Sequence, residues 1–275
     1  DPYELDFFRH AVIVATLAGA LCGLVGVYVV LRGMSYIGHG LSHAVFGGFA
    51  ASTVLGVHLV AGAFVWGVGC ALSITSITRR RAIGSDAAIG VLTTASFAFG
   101  LALLAVFDEQ AGSFDNLLFG SILGVSVADI WWVVAALAVS AAVVFFAWRP
   151  LLFTTFDPEV AEVSGVRVGL VDAALMVVLS LSILVTMQVL GVTLVAATLV
   201  IPPTIARMLT SSFTRMLWLS VGIGAASGFV GMNVSYHVDV QSGPTIVLVS
   251  TALFLVSYVA TGRRGRAALS GLAAH

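Results

Sequence analysis

Long apolar runs are the feature of this sequence that most limits how the chain can fold. A helix that crosses ~30 Å of hydrocarbon needs about 20 predominantly apolar residues, at ~1.5 Å rise per residue. Nine runs approach or exceed that length: 11–31, 36–57, 59–78, 88–107, 128–148, 168–189, 192–208, 216–234 and 243–261. Only 9% of the 275 residues are charged, whereas soluble domains carry about 25%. The sequence therefore predicts an all-α integral membrane protein, a single transmembrane domain over 1–275 with about 8–9 spanning helices.

Two apolar segments do not fit a simple row of spanning helices. The run at 116–126, NLLFGSILGVS, is too short to span and is predicted to be re-entrant or interfacial. Pro202–Pro203 interrupt the run at 192–208. They should break or kink its helix, because proline lacks a backbone N–H and clashes with the preceding turn. The number of spanning helices stays open between eight and nine for this reason.

The distribution of arginine predicts the orientation of the chain. All 12 basic residues are arginine, and with the C-terminus inside, eleven of them lie on the same side of the membrane. Only Arg9 then lies outside. Since positive side chains collect in cytoplasmic loops, we expect an external N-terminus and a cytoplasmic tail at 262–275. The acidic loop from Asp108 to Asp115 would be external.

The longest cytoplasmic loop in this arrangement, 149–167, carries helix signals of its own. Asp157 precedes Pro158 in the pattern of an N-cap followed by proline at the first helical position. Glu159 follows in the first turn, where the helix dipole favours negative charge. Gly165 suits a C-terminal stop. We predict a short amphipathic helix here, either a solvated connection or a docking element for a cytoplasmic partner.

Two histidines lie inside an apolar run, in MSYIGHGLSHAVFGGFA at 34–50. His39 and His43 are four residues apart, so on a helix both rings lie on one face with Cβ atoms about 5–6 Å apart. Ionisable groups are costly in the bilayer and usually face a cavity or another helix. Imidazole suits zinc, copper, iron and nickel better than magnesium or calcium. The pair predicts a path or site for a transition-metal ion, with hydrogen bonding across helices as the alternative.

Other polar residues near the spans give weaker signals. His237 and Asp239, in SYHVDVQSGP, are predicted at the outer face, where they could bind an entering metal ion or simply lie in a solvated loop. His58 is expected at an outer helix end, and Asp172 near a membrane interface.

Taken together, the motifs resemble those of the permease subunits of bacterial zinc/manganese ATP-binding-cassette importers. MSYIGHGLSHAVFGG is similar to the family's second-helix signature, which is close to M-S-x-x-G-D-x-L-S-H-A. FDPEVAEVSGV resembles its cytoplasmic coupling segment, D-P-E-x-A-x-x-x-G, here within 156–167. SLSILVTMQVLGVTLVAATLVIPPTIARMLT resembles its late helix pair, and SYHVDVQSGPTIVLVS its final outer loop and helix. The likeness extends in order from about residue 11 to residue 261.

This resemblance implies an assembly in the bacterial inner membrane. Two copies of the permease would form a homodimer in the lipid bilayer, each copy docking a cytoplasmic ATPase, while an extracellular metal-binding protein delivers the ion. Five family positions would lie in the coupling helix: Asp157, Pro158, Glu159, Ala161 and Gly165. The cargo would be a zinc or manganese ion, with no permanently bound cofactor and no nucleic-acid partner.

One position departs from the family pattern. His43 matches the family histidine, whereas the family usually has aspartate where this chain has His39. A His/His pair is a softer and less anionic site than Asp/His, so it leans toward zinc over manganese. Any further ligands, from other helices, are left open.

Two other classes of function remain as alternatives. A gradient-driven secondary transporter would typically show internal repeats and acidic residues at the midplane, and the runs offer neither convincingly. An intramembrane zinc enzyme of the H-E-x-x-H type would need a glutamate after His39, where the chain has Gly40. The sequence also contains no G-x-x-x-x-G-K-[ST] phosphate-binding loop, so ATP hydrolysis is expected in a partner subunit rather than in this chain.

Overall fold

The computed structural model describes residues 2–79, 84–107, 125–192 and 194–272, with the backbone alone at 85, 188–189 and 263–272. Within these ranges the chain is almost entirely helical. A short 3-10 helix at Pro2–Glu4 precedes eleven α-helices: α1 (Asp6–Leu31), α2 (Ser35–Leu55), α3 (Leu59–Arg79), α4 (Ser85–Phe107), α5 (Val127–Phe146), α6 (Trp148–Phe156), α7 (Pro158–Val163), α8 (Val168–Leu190), α9 (Val195–Leu209), α10 (Phe213–Val238) and α11 (Ser242–Leu272). The predicted all-α fold is confirmed.

Each of the nine apolar runs corresponds to one helix. Among the described residues, seven helices are long and apolar enough to cross a membrane, namely α1, α3, α4, α5, α8, α10 and α11. α2 has the length, at 21 residues, but its glycines, serines and histidines dilute its apolar character, and α9 has only 15 residues. The chain is thus a multi-span membrane protein. The short run at 116–126 lies outside the described residues apart from its last two positions.

α1 lies at the centre of the helix packing. In its most apolar stretch 83% of the residues are buried, against 17% in α11. Gly19 and Gly23 of α1 lie against Gly224 and Ser220 of α10. A Cβ on any of the three glycines would overlap the opposite backbone. In a membrane, close packing of this kind drives helix association in place of the hydrophobic effect. α1 and α10 therefore form a closely packed helix pair.

The middle of α2 is held between α3 and α4. Gly47 lies against the backbone of Ser96 on α4, and Gly48 lies against Trp66 on α3. The Trp66 indole N–H donates to Ser96 Oγ at 2.8 Å, and Ser96 Oγ donates to the Ala44 carbonyl at 3.2 Å. These contacts fix how α2 is rotated about its axis, and so which direction its histidines face.

α9 continues through its two prolines. The helix spans Val195–Leu209 with Pro202 and Pro203 inside it and buried, so the pair does not break the helix, and a kink there stays a prediction. Gly26 of α1 lies against the Leu199 carbonyl and the ring of Pro203. Membrane helices tolerate proline because neighbouring helices and local adjustments satisfy the backbone groups that proline frees.

α1 and α2 are joined by a tight turn. Gly33 has a positive φ of 67°. Its N–H donates to the Val30 carbonyl at 3.1 Å, and the Met34 N–H donates to the Val29 carbonyl at 2.9 Å. This is the Schellman arrangement that ends many helices. Because α2 begins at the very next residue, the end of α1 positions the first turn of α2.

Candidate metal centre

His39 and His43 lie in the first three turns of α2. Their Nε2 atoms are 3.3 Å apart. The ring centroids are 4.6 Å apart, and the ring planes are perpendicular. Both side chains are half-buried. The two rings therefore share one face of α2, as their spacing requires, with the same nitrogen of each ring turned toward the other.

The separation of the two nitrogens suits a shared ion. Two imidazole nitrogens bound at ~2.0–2.1 Å to one tetrahedral zinc lie about 3.3–3.4 Å apart. The same distance is at the long end of what an N–H hydrogen bond between the two rings would allow. The distance therefore fits both a hydrogen bond between the two rings and two ligands of one ion.

Helix α4 forms a wall beside the pair. The ring centroid of Phe97 is 4.6 Å from that of His43, at a tilt of 59°. α4 approaches this closely because Gly40 has no side chain, and a Cβ there would press on Ile89 and Thr93. Sequence reasoning did not identify Phe97, since nothing local distinguishes it among 17 phenylalanines.

One ring nitrogen of the pair lacks a hydrogen-bond partner among the described residues. His43 Nδ1 is buried and makes no hydrogen bond to any described residue. No group of three or more His, Cys, Asp or Glu side chains comes together anywhere in the described ranges. Ligands beyond the two imidazoles would therefore be of another donor type, or would come from outside the described residues.

His237 and Asp239 lie at the C-terminal end of α10 and are both exposed. His237 Nδ1 donates to the Asn233 carbonyl at 2.8 Å. Asp239 caps α10 in a left-handed conformation, with φ of 55°. Neither forms a cluster with His39 and His43 in the described part of the chain, so a role for them in metal entry stays a prediction.

The predicted helix in the 149–167 loop is present as α7. Asp157 Oδ1 accepts a hydrogen bond from the Val160 N–H at 2.9 Å, and Pro158 follows as the first helical residue. This is the N-cap arrangement expected from the sequence.

The C-terminal end of α7 is also defined by backbone hydrogen bonds. Gly165 has a φ of 82°. Its N–H donates to the Glu162 carbonyl, and the Val166 N–H donates to the Ala161 carbonyl, both at 3.0 Å. The Ala161 side chain is fully buried, whereas Val163 is 91% exposed. α7 is thus a six-residue helix, capped at both ends, that packs on the fold by one face and leaves the other open.

Comparison with known proteins identifies the family of this chain. The model of the ABC 3 transport family matches residues 4–261. Manganese transport system membrane protein MntC of Halalkalibacterium halodurans is 34% identical over 260 residues, which are 94% of this chain and 89% of that protein. The probable iron transport system membrane protein of Haemophilus influenzae is 33% identical over 257 residues, 94% of each chain.

A solved structure shows the same fold. PsaBC from Streptococcus pneumoniae, in complex with Fab, contains a chain that superposes with a TM-score of 0.85 at 34% identity, covering 93% of this chain and 92% of that one. The family match and the superposition each extend over nearly the whole length. The chain therefore belongs to the ABC 3 transport family and is a membrane-spanning transport subunit.

Proposed function

We propose that this chain is the permease subunit of an ATP-driven importer of divalent first-row transition-metal ions, and that His39 and His43 bind the ion during its passage. The observation that carries the proposal is the 3.3 Å separation of the two Nε2 atoms in the first three turns of α2. Two imidazole ligands would favour a first-row transition metal over magnesium or calcium.

The choice of metal follows from the donor types. Relatives of this chain are named for manganese and for iron. Imidazole binds zinc more tightly than manganese, which suits carboxylate and water oxygens. With His39 in place of the aspartate usual in the family, we propose that this permease favours zinc or iron over manganese.

The rest of the assembly is proposed from the family. The coupling helix that docks on a cytoplasmic ATPase would include Asp157, Pro158, Glu159, Ala161 and Gly165. α7 supports this because it packs by one face and leaves the other exposed. A second copy of the permease and an extracellular metal-binding protein would complete the importer. ATP hydrolysis in the partner would move α7 and open the helices around the histidine pair alternately to each side.

The test is metal uptake into proteoliposomes that hold the permease and its ATPase. We expect ATP-dependent uptake of zinc or iron, with manganese weaker. His43→Ala should abolish uptake while the complex still assembles, because one of two ligands is lost. His58→Ala is the matched control, since His58 is an exposed histidine in the loop after α2. Uptake driven by an ion gradient without the ATPase, or normal uptake by His43→Ala, would contradict the proposal.

A further inference from the structure

Arg32, the C-cap residue that follows α1, forms an ion pair with Asp172 in the second turn of α8. Arg32 Nη1 donates to Asp172 Oδ1 at 2.6 Å, and the side chains are only 10% and 17% exposed. Within the described residues it is the one ion pair that joins two helices, since the pair of Arg9 and Asp6 lies inside α1. Two charges this buried lose much of their hydration, and this cost offsets their attraction. Stabilisation of the fold alone therefore does not explain the pair.

The same guanidinium also donates hydrogen bonds to two residues at the C-terminal end of α6. Arg32 Nη2 donates to Thr154 Oγ1 at 2.7 Å, and Arg32 Nε donates to Thr155 Oγ1 at 3.2 Å. Both threonines are buried, in the last turn of α6. Asp157, which caps α7, follows two residues later. The planar guanidinium fork with its fixed donors can serve three acceptors at once, which a lysine ammonium cannot do with the same geometry.

Toward the C-terminus, a short segment of chain connects Arg32 to the histidine pair. The turn through Gly33 and Met34 is closed by hydrogen bonds back to α1, and α2 starts at Ser35. His39 lies one helical turn further on. Only a hydrogen-bonded turn and the first turn of α2 therefore separate Arg32 from His39.

We propose that Arg32 is a positioning residue for transport, which passes movement of α6 and α7 to the start of α2 and so to His39 and His43. The inference rests on the proposed function, because the movement would originate in the ATPase docked on α7. Asp172 anchors the guanidinium to α8, and the two threonines are the part of the link that moves with the coupling helix.

The test replaces the two threonines that accept hydrogen bonds from Arg32, and leaves the arginine in place. Removing one partner of a buried ion pair is strongly destabilising, so Arg32→Ala could simply fail to fold. The double variant Thr154→Val/Thr155→Val removes both acceptors, keeps the side-chain shape and leaves the ion pair intact. Thr251→Val is the matched control, because the Thr251 hydroxyl donates only within α11, to the Val247 carbonyl at 2.8 Å.

Two measurements distinguish this inference from the proposed function. The first is metal taken up per ATP hydrolysed in proteoliposomes, which should fall roughly tenfold in the double variant, as expected for losing hydrogen bonds to a charged group, and stay unchanged in Thr251→Val. The second is amide hydrogen exchange over residues 35–41 in the permease alone, which needs neither metal nor ATPase. Exchange there should be faster in the double variant than in the wild type.

Each outcome decides one of the two proposals. Exchange over 35–41 that matches the wild type would overturn the link, whatever ion is carried. An unchanged ratio of metal to ATP in the double variant would also overturn it. Faster exchange in a permease whose wild type takes up no metal would support the link and contradict the proposed function. Arg32→Lys should show an intermediate ratio, because it keeps the charge opposite Asp172 and loses the fork.

Discussion

Among single residues, His39 has the largest expected influence on which ion is carried. It supplies an imidazole nitrogen 3.3 Å from the matching nitrogen of His43. An aspartate at the same place would supply a charged oxygen instead. Because oxygen ligands suit manganese and imidazole suits zinc, this one side chain changes both the charge and the softness of the site.

We predict that His39→Asp shifts transport toward manganese. In uptake assays with both ions present, the ratio of manganese to zinc should rise by about tenfold, the effect of roughly 1.4 kcal/mol in relative binding. His58→Asp, which adds the same charge on an exposed loop, should leave the ratio unchanged. An equal shift in both variants would mean that bulk charge, not the ligand set, determines the preference.

Two glycines on α10 should respond in opposite directions to the same substitution. A Cβ at Gly224 would overlap the backbone of Gly19, whereas a Cβ at Gly222 meets no heavy atom within 4 Å. Gly224→Ala should therefore destabilise by about 1–3 kcal/mol through overpacking. Gly222→Ala should stabilise by roughly 0.5–1 kcal/mol, because alanine loses less backbone entropy in a helix. Thermal unfolding in one detergent measures both, and equal shifts would contradict the tight packing of α1 on α10.

At the scale of elements, α7 owes its short length to its two ends. The Asp157 carboxylate accepts a hydrogen bond from the Val160 N–H, one of the first four N–H groups that have no partner within the helix. Since packing covers only one face of α7, the capping interactions matter more here than in the long helices of the bundle.

We predict that Asp157→Ala weakens association with the ATPase about fivefold, since loss of an N-cap costs ~1 kcal/mol. Asp157→Asn should bind nearly as well as the wild type, because the amide oxygen also accepts the hydrogen bond. Co-purification and titration of the ATPase measure the effect. If both substitutions weaken docking equally, the charge of Asp157 rather than its capping bond makes the contact.

The elements were predictable from the sequence because their causes are local. A run of about 20 apolar residues indicates a spanning helix, and Asp157, Pro158 and Gly165 mark the ends of α7 within nine residues of chain. The contacts that complete the site were not predictable. Phe97 meets His43 across two helices, and Asp172 meets Arg32 over a separation of 140 residues. No pattern within one helix determines which neighbour its side chains will touch.

The prolines of α9 show that a local sequence signal can also predict a feature that the structure lacks. Pro202 and Pro203 are strong local signals for a break, yet the helix is continuous. In water the freed carbonyls would favour unwinding. In a membrane, unwinding exposes still more unsatisfied backbone, so the helix persists against its local signal.

At the scale of the whole molecule, the arrangement of arginines predicts an orientation that separates the two proposed working ends. Eleven of 12 arginines fall on one side when the C-terminus is inside, the side that also carries α7 and the contacts of Arg32. His237 and Asp239 then lie at the opposite, external end. Coupling and entry would thus be separated by the thickness of the membrane.

Labelling of single introduced cysteines tests this orientation. Ser164, after α7, and Gln241, between α10 and α11, are both exposed. A membrane-impermeant maleimide should label Gln241→Cys in intact spheroplasts, and Ser164→Cys only after permeabilisation. The unmodified chain is the control, since Cys22 is buried and Cys70 half-buried. The reverse pattern would place α7 outside, where no ATP-driven partner could dock, and would contradict the orientation and the importer together.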